Sequence, residues 1–273
     1  MPVDSYFSEN SMLRRVQGER ALMLSGPRAL LMQAAHPLAV EGLLAHTDGI
    51  DAPYERLART AEVMTAIGFG TRAEADRLTK RVRAMHRRVR GRLDREVGIY
   101  PAGTPYAADD PELLMWVLFT LVDSGIVVYE RFVGGMSGEQ REDYWADFRV
   151  IGGLFGLEPE QMPADIAELD DYRALMYASG RLHVGDWARI KAREIVLRPP
   201  VPIHLRPLLE AVNFLTVDLL PGPIRAQYGF APIPPPPIRA MAVTATSEYL
   251  KRIVLPLLPA SLRQIPAARA PPA

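Results

Sequence analysis

Cysteine is absent from the chain. This absence excludes disulfide bonds, zinc sites with cysteine ligands, iron–sulfur clusters and thiol nucleophiles. Charge of one sign is not in excess either, because 32 basic and 32 acidic side chains give a formal net charge of zero. General nucleic-acid binders attract phosphates with a basic excess, so we expect no nucleic-acid partner. Hydrophobic residues make up 48% of the 273 residues, which is enough for a substantial buried core.

Long uninterrupted apolar segments are also missing. The first twenty residues carry charges and no apolar stretch, so we predict no secretory signal and expect a cytoplasmic protein. The longest apolar run, LLMWVLFTLVDSGIVVY at 113–129, has 17 residues and contains Asp123. A bilayer span needs about 20 apolar residues, so this run predicts a central buried helix. The composition leaves a peripheral membrane contact open, and it predicts no oligomeric state.

Helix signals follow one another along the chain, and no segment shows the sustained alternation of a strand. Pro37 lies inside an apolar stretch over 28–45 and predicts a kinked helix there. Thr71 and Ser137 begin capping boxes, and Asp110 begins the long apolar helix. Further helices are predicted around 165–178, 180–197, 204–219 and 236–257.

The domain organisation follows from these helices. Two proline-rich stretches, APIPPPPIRA and RQIPAARAPPA, are connectors that do not divide the chain into parts with separate cores. We therefore predict an all-α fold, with a single multi-helix globular domain over 1–273 and a central buried apolar helix. Its core covers about 10–257 and precedes a proline-rich C-terminal tail.

Histidine is scarce, and His86 is the most suggestive of the five histidines. It borders the apolar stripe of its predicted helix, between Val82 and Val89, with Arg83 nearby. A neutral imidazole at such a border can ligate a metal ion, while arginines pair with the carboxylates of the same cofactor, as haem requires. The pattern alone leaves open a core-edge histidine among solvated arginines.

A second polar cluster lies in the segment RLART. Arg56 is three residues before Arg59 and four before Thr60, so all three side chains project from one side of a helix. Two guanidinium groups and a hydroxyl can bind a carboxylate or hydrogen-bond a bound oxygen species. The alternative is pairing with neighbouring surface carboxylates, which contributes little to stability.

Polar residues also interrupt the apolar stretch at His36, Glu41 and His46. His36 and His46 would lie ~15 Å apart along a regular helix and could not bind one ion together. Two interpretations stay open: hydrogen-bonded interior side chains, or a general base that lines a pocket. Asp123 poses a related question, because a buried carboxylate must be paired or protonated, and we expect an arginine of a neighbouring helix as its partner.

Five segments occur in one order along most of the chain, from about Glu19 to about Pro256. They are ERALMLSGPRALLMQAAHPLAVEGLLAHT, RLARTAEVMTAIGFGT, MHRRVRG, YAADDPELLMWVLFTLVDSGIVVYERF and LLPGPIRAQYGF. This order resembles the MpaB-type oxygenase family, which shares its catalytic domain with bacterial rubber oxygenase, the latex clearing protein. The resemblance implies an all-helical fold that holds haem b and an enzyme that acts on a small apolar organic substrate and dioxygen.

The resemblance also implies roles for the two clusters. His86 takes the place of the axial iron ligand, and the cofactor-binding set is His86, Val82, Val89 and Arg83. The catalytic set on the distal side is Arg56, Arg59 and Thr60.

Two departures from the family pattern affect this expectation. Arg59 replaces a lysine that can act as a second iron ligand, and a guanidinium cannot readily donate a lone pair, so we expect an open five-coordinate iron. Leu118 stands in WVLFTLVDS where relatives often carry histidine, so we expect a more apolar pocket at that point. The alternatives are a non-catalytic helical protein that binds haem or lipid, and a metal-free helical scaffold.

Overall fold

The computed structural model describes residues 4–44, 52–199, 201–230 and 236–269. Its helices are α1 (Met12–Gln17), α2 (Ser25–Gln33), α3 (Pro37–Leu44), α4 (Ala52–Phe69), α5 (Arg72–His86), α6 (Pro111–Phe132), α7 (Gly138–Phe155), α8 (Ile166–Ala178), α9 (Asp186–Leu197), α10 (Arg206–Asp218), α11 (Gly222–Gln227), α12 (Pro236–Tyr249), α13 (Leu255–Leu257), α14 (Ala260–Arg263) and α15 (Pro266–Arg269). Two short strands, β1 (Arg90–Arg92) and β2 (Pro105–Ala107), pair in antiparallel register. The predicted all-α fold is confirmed, whereas the predicted domain limits stay a prediction.

Helix α6 forms the centre of the protein. Asp110 caps it by accepting the backbone N–H of Glu112, and Pro111 occupies the first turn, where its missing N–H costs nothing. Trp116 and Phe119 are fully buried and stack on each other. Among the described residues, α6 alone has the length and apolarity of a bilayer span, but 67% of that stretch is buried inside the protein. The prediction of a central buried helix is confirmed.

A buried ion pair joins α2 to α6. Arg28 Nη2 lies 2.7 Å from Asp123 Oδ2, and both side chains are almost inaccessible to solvent. The same guanidinium donates to Ser124 Oγ at 2.7 Å and to the carbonyl oxygen of Leu219 at 2.8 Å. Asp123 therefore has the arginine partner expected from the sequence, and the two buried charges compensate each other.

The prediction of a kinked helix at Pro37 is wrong. One helix ends before Pro37, and another begins there. Helix α2 ends at Gln33, and Pro37 is the first residue of α3. Proline is favourable there, because the first turn of a helix does not use the missing N–H. The carbonyl of His36 accepts the N–H of Val40, so His36 occupies the junction between the two helices.

The capping prediction at Ser137 is confirmed, because its side chain accepts the N–H of Gln140 and Gln140 bonds back to the Ser137 backbone. The ribbon of β1 and β2 was not predicted. Its strands have three residues each, which is too short for an alternating pattern to be recognised. The ribbon positions the segment between α5 and α6.

Candidate functional site

Two consecutive helices carry the two clusters that the sequence singled out. Helices α4 and α5 pack on each other and are joined by Gly70 and Thr71 alone. Thr71 Oγ1 accepts the N–H of Glu74 at 3.2 Å, which fixes the start of α5. The RLART segment lies on α4 and His86 is the last residue of α5, so the two clusters are carried by consecutive helices that contact each other.

The side chains of the two clusters differ in exposure. Arg59 and Thr60 are exposed, whereas the Arg56 side chain lies outside the described part of the chain. His86 is half-buried as the last residue of α5. Val82 is also half-buried and packs against the hydrophobic core, and Val89 is half-buried just after the helix. The imidazole thus lies at the boundary between core and solvent, as its predicted position beside the apolar stripe implied.

Further groups surround this boundary. The Arg83 guanidinium is exposed and lies against Gly156, which ends α7. Gly42 of α3 packs beside Val89 and Tyr106, so α3 and β2 close one side of the region after His86. Burial raises the pKa of Tyr106, and the Glu41 carboxylate raises it further. Glu41 therefore lies near this region, while His46 is outside the described residues.

A second polar centre surrounds His36, whose side chain is fully buried. Its Nε2 lies 3.4 Å from the hydroxyl of Tyr100 and 3.6 Å from Oε1 of Glu112. Arg181 Nη1 lies 3.1 Å from the same carboxylate oxygen, so Glu112 is shared between a guanidinium and an imidazole. These groups come from four separate parts of the chain, which places a single hydrogen-bonding centre at the starts of α3 and α6.

A tight turn places Tyr100 over His36. Val97 and Tyr100 exchange both of their backbone hydrogen bonds, with N···O distances of 2.9 and 3.1 Å. Gly98 has φ +61°, a conformation that glycine adopts without a steric penalty, and the His183 side chain packs directly against it. A cavity of about 180 Å³ opens beside the turn. It is lined by Leu38, Ile99, Tyr100, Asp110, Glu112, Leu113 and Arg181.

Burial decides the charge of His36. It lowers the pKa of the imidazole from 6.5 to about 4, and the positive charge of Arg181 acts in the same direction. The ring is therefore neutral at neutral pH, and its Nδ1 has no hydrogen-bond partner among the described residues. His36 does not line the neighbouring cavity. These observations favour an interior histidine, held by hydrogen-bonding side chains, over a general base.

No sequence signal pointed to Tyr100, Glu112 or Arg181. They lie 64, 76 and 145 positions from His36, so no helical spacing connects them. The only local sign was the imidazole itself, because a polar ring in an apolar stretch requires partners from elsewhere.

None of the described residues form a group of three or more histidine, aspartate or glutamate side chains that could hold a metal ion. A porphyrin iron needs only one or two protein ligands, so it does not depend on such a group. A groove of about 740 Å³ runs along the ribbon from Arg90, four residues after His86, and His86 does not line it.

Leu118 belongs to the packed core. It is 4% exposed and lies against α7 where Gly152 has no side chain, next to Met162. Leu118 lines neither of the two cavities described above. The position therefore fills the interface between α6 and α7.

The described residues form an almost entirely helical protein with two sets of chemistry-bearing side chains, one on the consecutive helices α4 and α5 and one around the buried His36. The chain matches the family described as "ER-bound oxygenase mpaB/B'/Rubber oxygenase, catalytic domain" over residues 13–263. It therefore belongs to this family and is an oxygenase, which confirms the resemblance seen in the five segments. No curated protein and no solved structure gave a match.

Proposed function

We propose that the enzyme is a haem b-dependent oxygenase that acts on a small apolar organic substrate and dioxygen. Membership of the oxygenase family supports this proposal. The structural observation that supports it is that α4, which carries the RLART segment, contacts and directly precedes α5, which ends at His86. When bound, the haem would supply an iron centre that activates dioxygen.

The residues at the end of α5 fit a haem in their chemistry. A haem requires an axial nitrogen, an apolar surface and cations for its two carboxylates. His86 offers a half-buried imidazole, and Val82 and Val89 are half-buried on either side of it in the sequence. Arg83 offers an exposed guanidinium one turn before His86. In this proposal His86 would ligate the iron, and Val82, Val89 and Arg83 would hold the macrocycle.

Residues of α4 would contact the substrate and dioxygen. Arg59 is a hydrogen-bond donor without an available lone pair, so it can steer a carbonyl or an anion but cannot occupy an iron coordination site. Thr60 adds a hydroxyl that can donate or accept, and Arg56 adds a second cation. These groups would orient the substrate and stabilise negative charge that develops on oxygen.

Absorbance spectroscopy of the purified protein, loaded with haem, tests the axial ligand. We expect a Soret band that disappears or shifts in His86→Ala. His204→Ala is the matched control, because His204 is an exposed histidine on the short turn before α10, and its spectrum should match the wild type. An unchanged spectrum in His86→Ala would reject His86 as the ligand.

Dioxygen consumption separates catalysis from binding alone. The haem-loaded enzyme should consume dioxygen when an apolar substrate is added, and Arg59→Ala should slow consumption while the Soret band remains. Binding of haem without dioxygen consumption by any apolar substrate tried would support a non-catalytic binding protein instead.

A further inference from the structure

The outer side of helix α5 is strongly basic. Residues 77–92 contain eight basic and no acidic side chains, in a chain whose total charge is zero, and all eight are exposed. Arg83, Arg90 and Arg92 lie against neighbouring residues. The other five make no side-chain hydrogen bond or ion pair with the part of the chain that the structure describes. We call them the basic stripe: Arg77, Lys80, Arg81, Arg87 and Arg88.

Helix geometry places these five side chains on one side. Arg77 and Arg81 are about one turn apart, and Arg88 follows Arg77 by about three turns, a distance of about 16 Å. Backbone hydrogen bonds continue the helical course past the end of α5 as far as Val89. The buried side chains of α5 lie on the opposite side. The basic stripe is therefore a continuous feature of the surface.

Helix stability accounts for only part of the basic stripe. Cations near the C-terminus of a helix interact favourably with its dipole, which suits Arg87 and Arg88. Arg77, Lys80 and Arg81 lie in the middle of α5, where the dipole has little effect. Like charges at three- and four-residue spacings destabilise a helix. A partner of opposite charge would offset this repulsion.

The complementary charge lies on the same chain. Residues 139–171, from the start of α7 into α8, contain ten acidic and two basic side chains, a net charge of −8. Four of these carboxylates are exposed and make no hydrogen bond or ion pair with the described residues. We call them the acidic face: Glu139, Asp143, Glu160 and Asp171. The net charge of residues 77–92 is +8, so the two segments are equal and opposite.

The basic stripe and the acidic face are carried by neighbouring elements. Helix α7 packs against both α5 and α8. Arg83 of α5 lies against Gly156, the residue that ends α7. The two charged regions therefore adjoin on the surface of one molecule.

Exposed apolar side chains accompany both charged regions. Met85 is exposed one turn after Arg81 of the basic stripe. Leu175 is exposed one turn after Asp171 on α8, and Val150 is exposed two turns after Asp143 on α7. Methionine and arginine are enriched in protein interfaces, where apolar side chains are removed from water. The two regions thus combine charge with apolar area that a protein partner could cover.

We propose that the protein forms a two-fold symmetric dimer in which the basic stripe of each copy faces the acidic face of the other. A two-fold rotation brings a surface patch against itself, so adjoining positive and negative regions make the same complementary contact twice. Such complementarity steers association and fixes the register of the partners. Duplex nucleic acid is disfavoured as the occupant, because its phosphates would extend beyond the basic stripe and meet the adjoining acidic face.

Sedimentation velocity of the full chain tests the dimer. We expect a dimer at low salt and a monomer at about 1 M salt, where charges are screened within about 3 Å. Arg77→Glu/Arg81→Glu should raise the dissociation constant at least about tenfold, because like charges would then face each other twice. Arg198→Glu/Arg206→Glu should dimerise like the wild type. It is the matched control, because it reverses two exposed arginines, one just after α9 and one at the start of α10.

Charge exchange between the copies tests which surfaces meet. Asp143→Lys/Asp171→Lys should also raise the dissociation constant at least about tenfold. An equimolar mixture of this variant with Arg77→Glu/Arg81→Glu should recover the dimer, because the reversed stripe of one copy meets the reversed acidic face of the other at both contacts. The circular dichroism of each variant should match the wild type, which separates lost association from lost folding.

Four results would overturn the proposal. The first is a wild type that stays monomeric at low salt, including one that binds duplex DNA or a glutamate-rich peptide, which would assign the basic stripe to another partner. The second is a dimer that neither double variant weakens. The third is a mixture of the two folded variants that stays monomeric. The fourth is a series of oligomers larger than the dimer, which would indicate a head-to-tail contact.

Discussion

Replacing His36 with glutamine should remove part of the acid sensitivity of folding. The imidazole is fully buried and faces Tyr100, Glu112 and Arg181. Burial lowers its pKa from 6.5 to about 4 in the folded protein. As the pH falls below 6.5, the His36 imidazole takes up a proton in the unfolded chain but stays neutral in the folded protein. The stability contributed by neutral His36 is therefore present above that pH and is lost as the pH falls towards 4.

The magnitude follows from the two pKa values. Their difference corresponds to a loss of about 3 kcal/mol of unfolding free energy, which is complete only when the pH is below both pKa values. At pH 5 the loss should be about 2 kcal/mol, because the folded imidazole is still largely neutral there. Glutamine does not titrate, so the stability of His36→Gln should fall about 2 kcal/mol less between neutral pH and pH 5.

Urea unfolding at the two pH values measures this difference. Burial raises the pKa of Glu19 and of Asp147, so these carboxyls favour folding as the pH falls and act in the opposite direction. Their contribution cancels when the wild type and His36→Gln are compared at both pH values. His204→Gln, at an exposed position, should keep the wild-type dependence. An identical pH dependence in His36→Gln and in the wild type would refute the reasoning.

Three further predictions concern other parts of the molecule. Asp123→Asn should reduce the unfolding free energy by about 3–5 kcal/mol, because it leaves the Arg28 guanidinium buried without a counter-charge. Gly98→Ala should cost about 1–3 kcal/mol, because φ is +61° and the new methyl group would collide with His183. In the haem-loaded enzyme, Arg59→Lys should shift the Soret spectrum towards a six-coordinate form, because a lysine amine can donate a lone pair.

Matched variants serve as controls for these predictions. Asp170→Asn removes an exposed partner of Arg173 and should cost less than about 1 kcal/mol, so an equal loss in Asp123→Asn would contradict the buried-pair argument. Gly103→Ala meets no neighbouring atoms at φ +84°, so Gly98→Ala should cost more if the collision matters. Arg59→Gln adds no iron ligand, and a spectral shift there as large as in Arg59→Lys would count against the coordination argument.

Local chemistry accounts for the parts of the fold that the sequence predicted. Ser137 and Asp110 accept backbone N–H groups within three residues, so their effect on helix starts is visible in a short segment. The sequence predicted that an arginine pairs with Asp123, because a buried carboxylate requires a cation. The identity of Arg28 could not, because it lies 95 positions earlier in the chain.

The remaining features depend on tertiary packing. Pro37 permits either a kink or a new helix, and the hydrogen bonds of residues 34–36 decide in favour of a new helix. The His36 centre depends on a turn around Gly98 and on a loop that carries Arg181, neither of which has a spacing related to His36. The sequence places the RLART segment and His86 on two consecutive helices, whereas the packing of those helices decides how far apart the two clusters lie.

The buried guanidinium of Arg28 also constrains the order in which the protein can be assembled. It is made early, yet its acceptors Ser124 and Leu219 lie 96 and 191 positions later. During synthesis on the ribosome, this charge must stay hydrated until most of the chain has emerged. Water is therefore excluded from the interior around α2 only after the later helices have formed. Such distant pairings favour slow folding through partly collapsed intermediates.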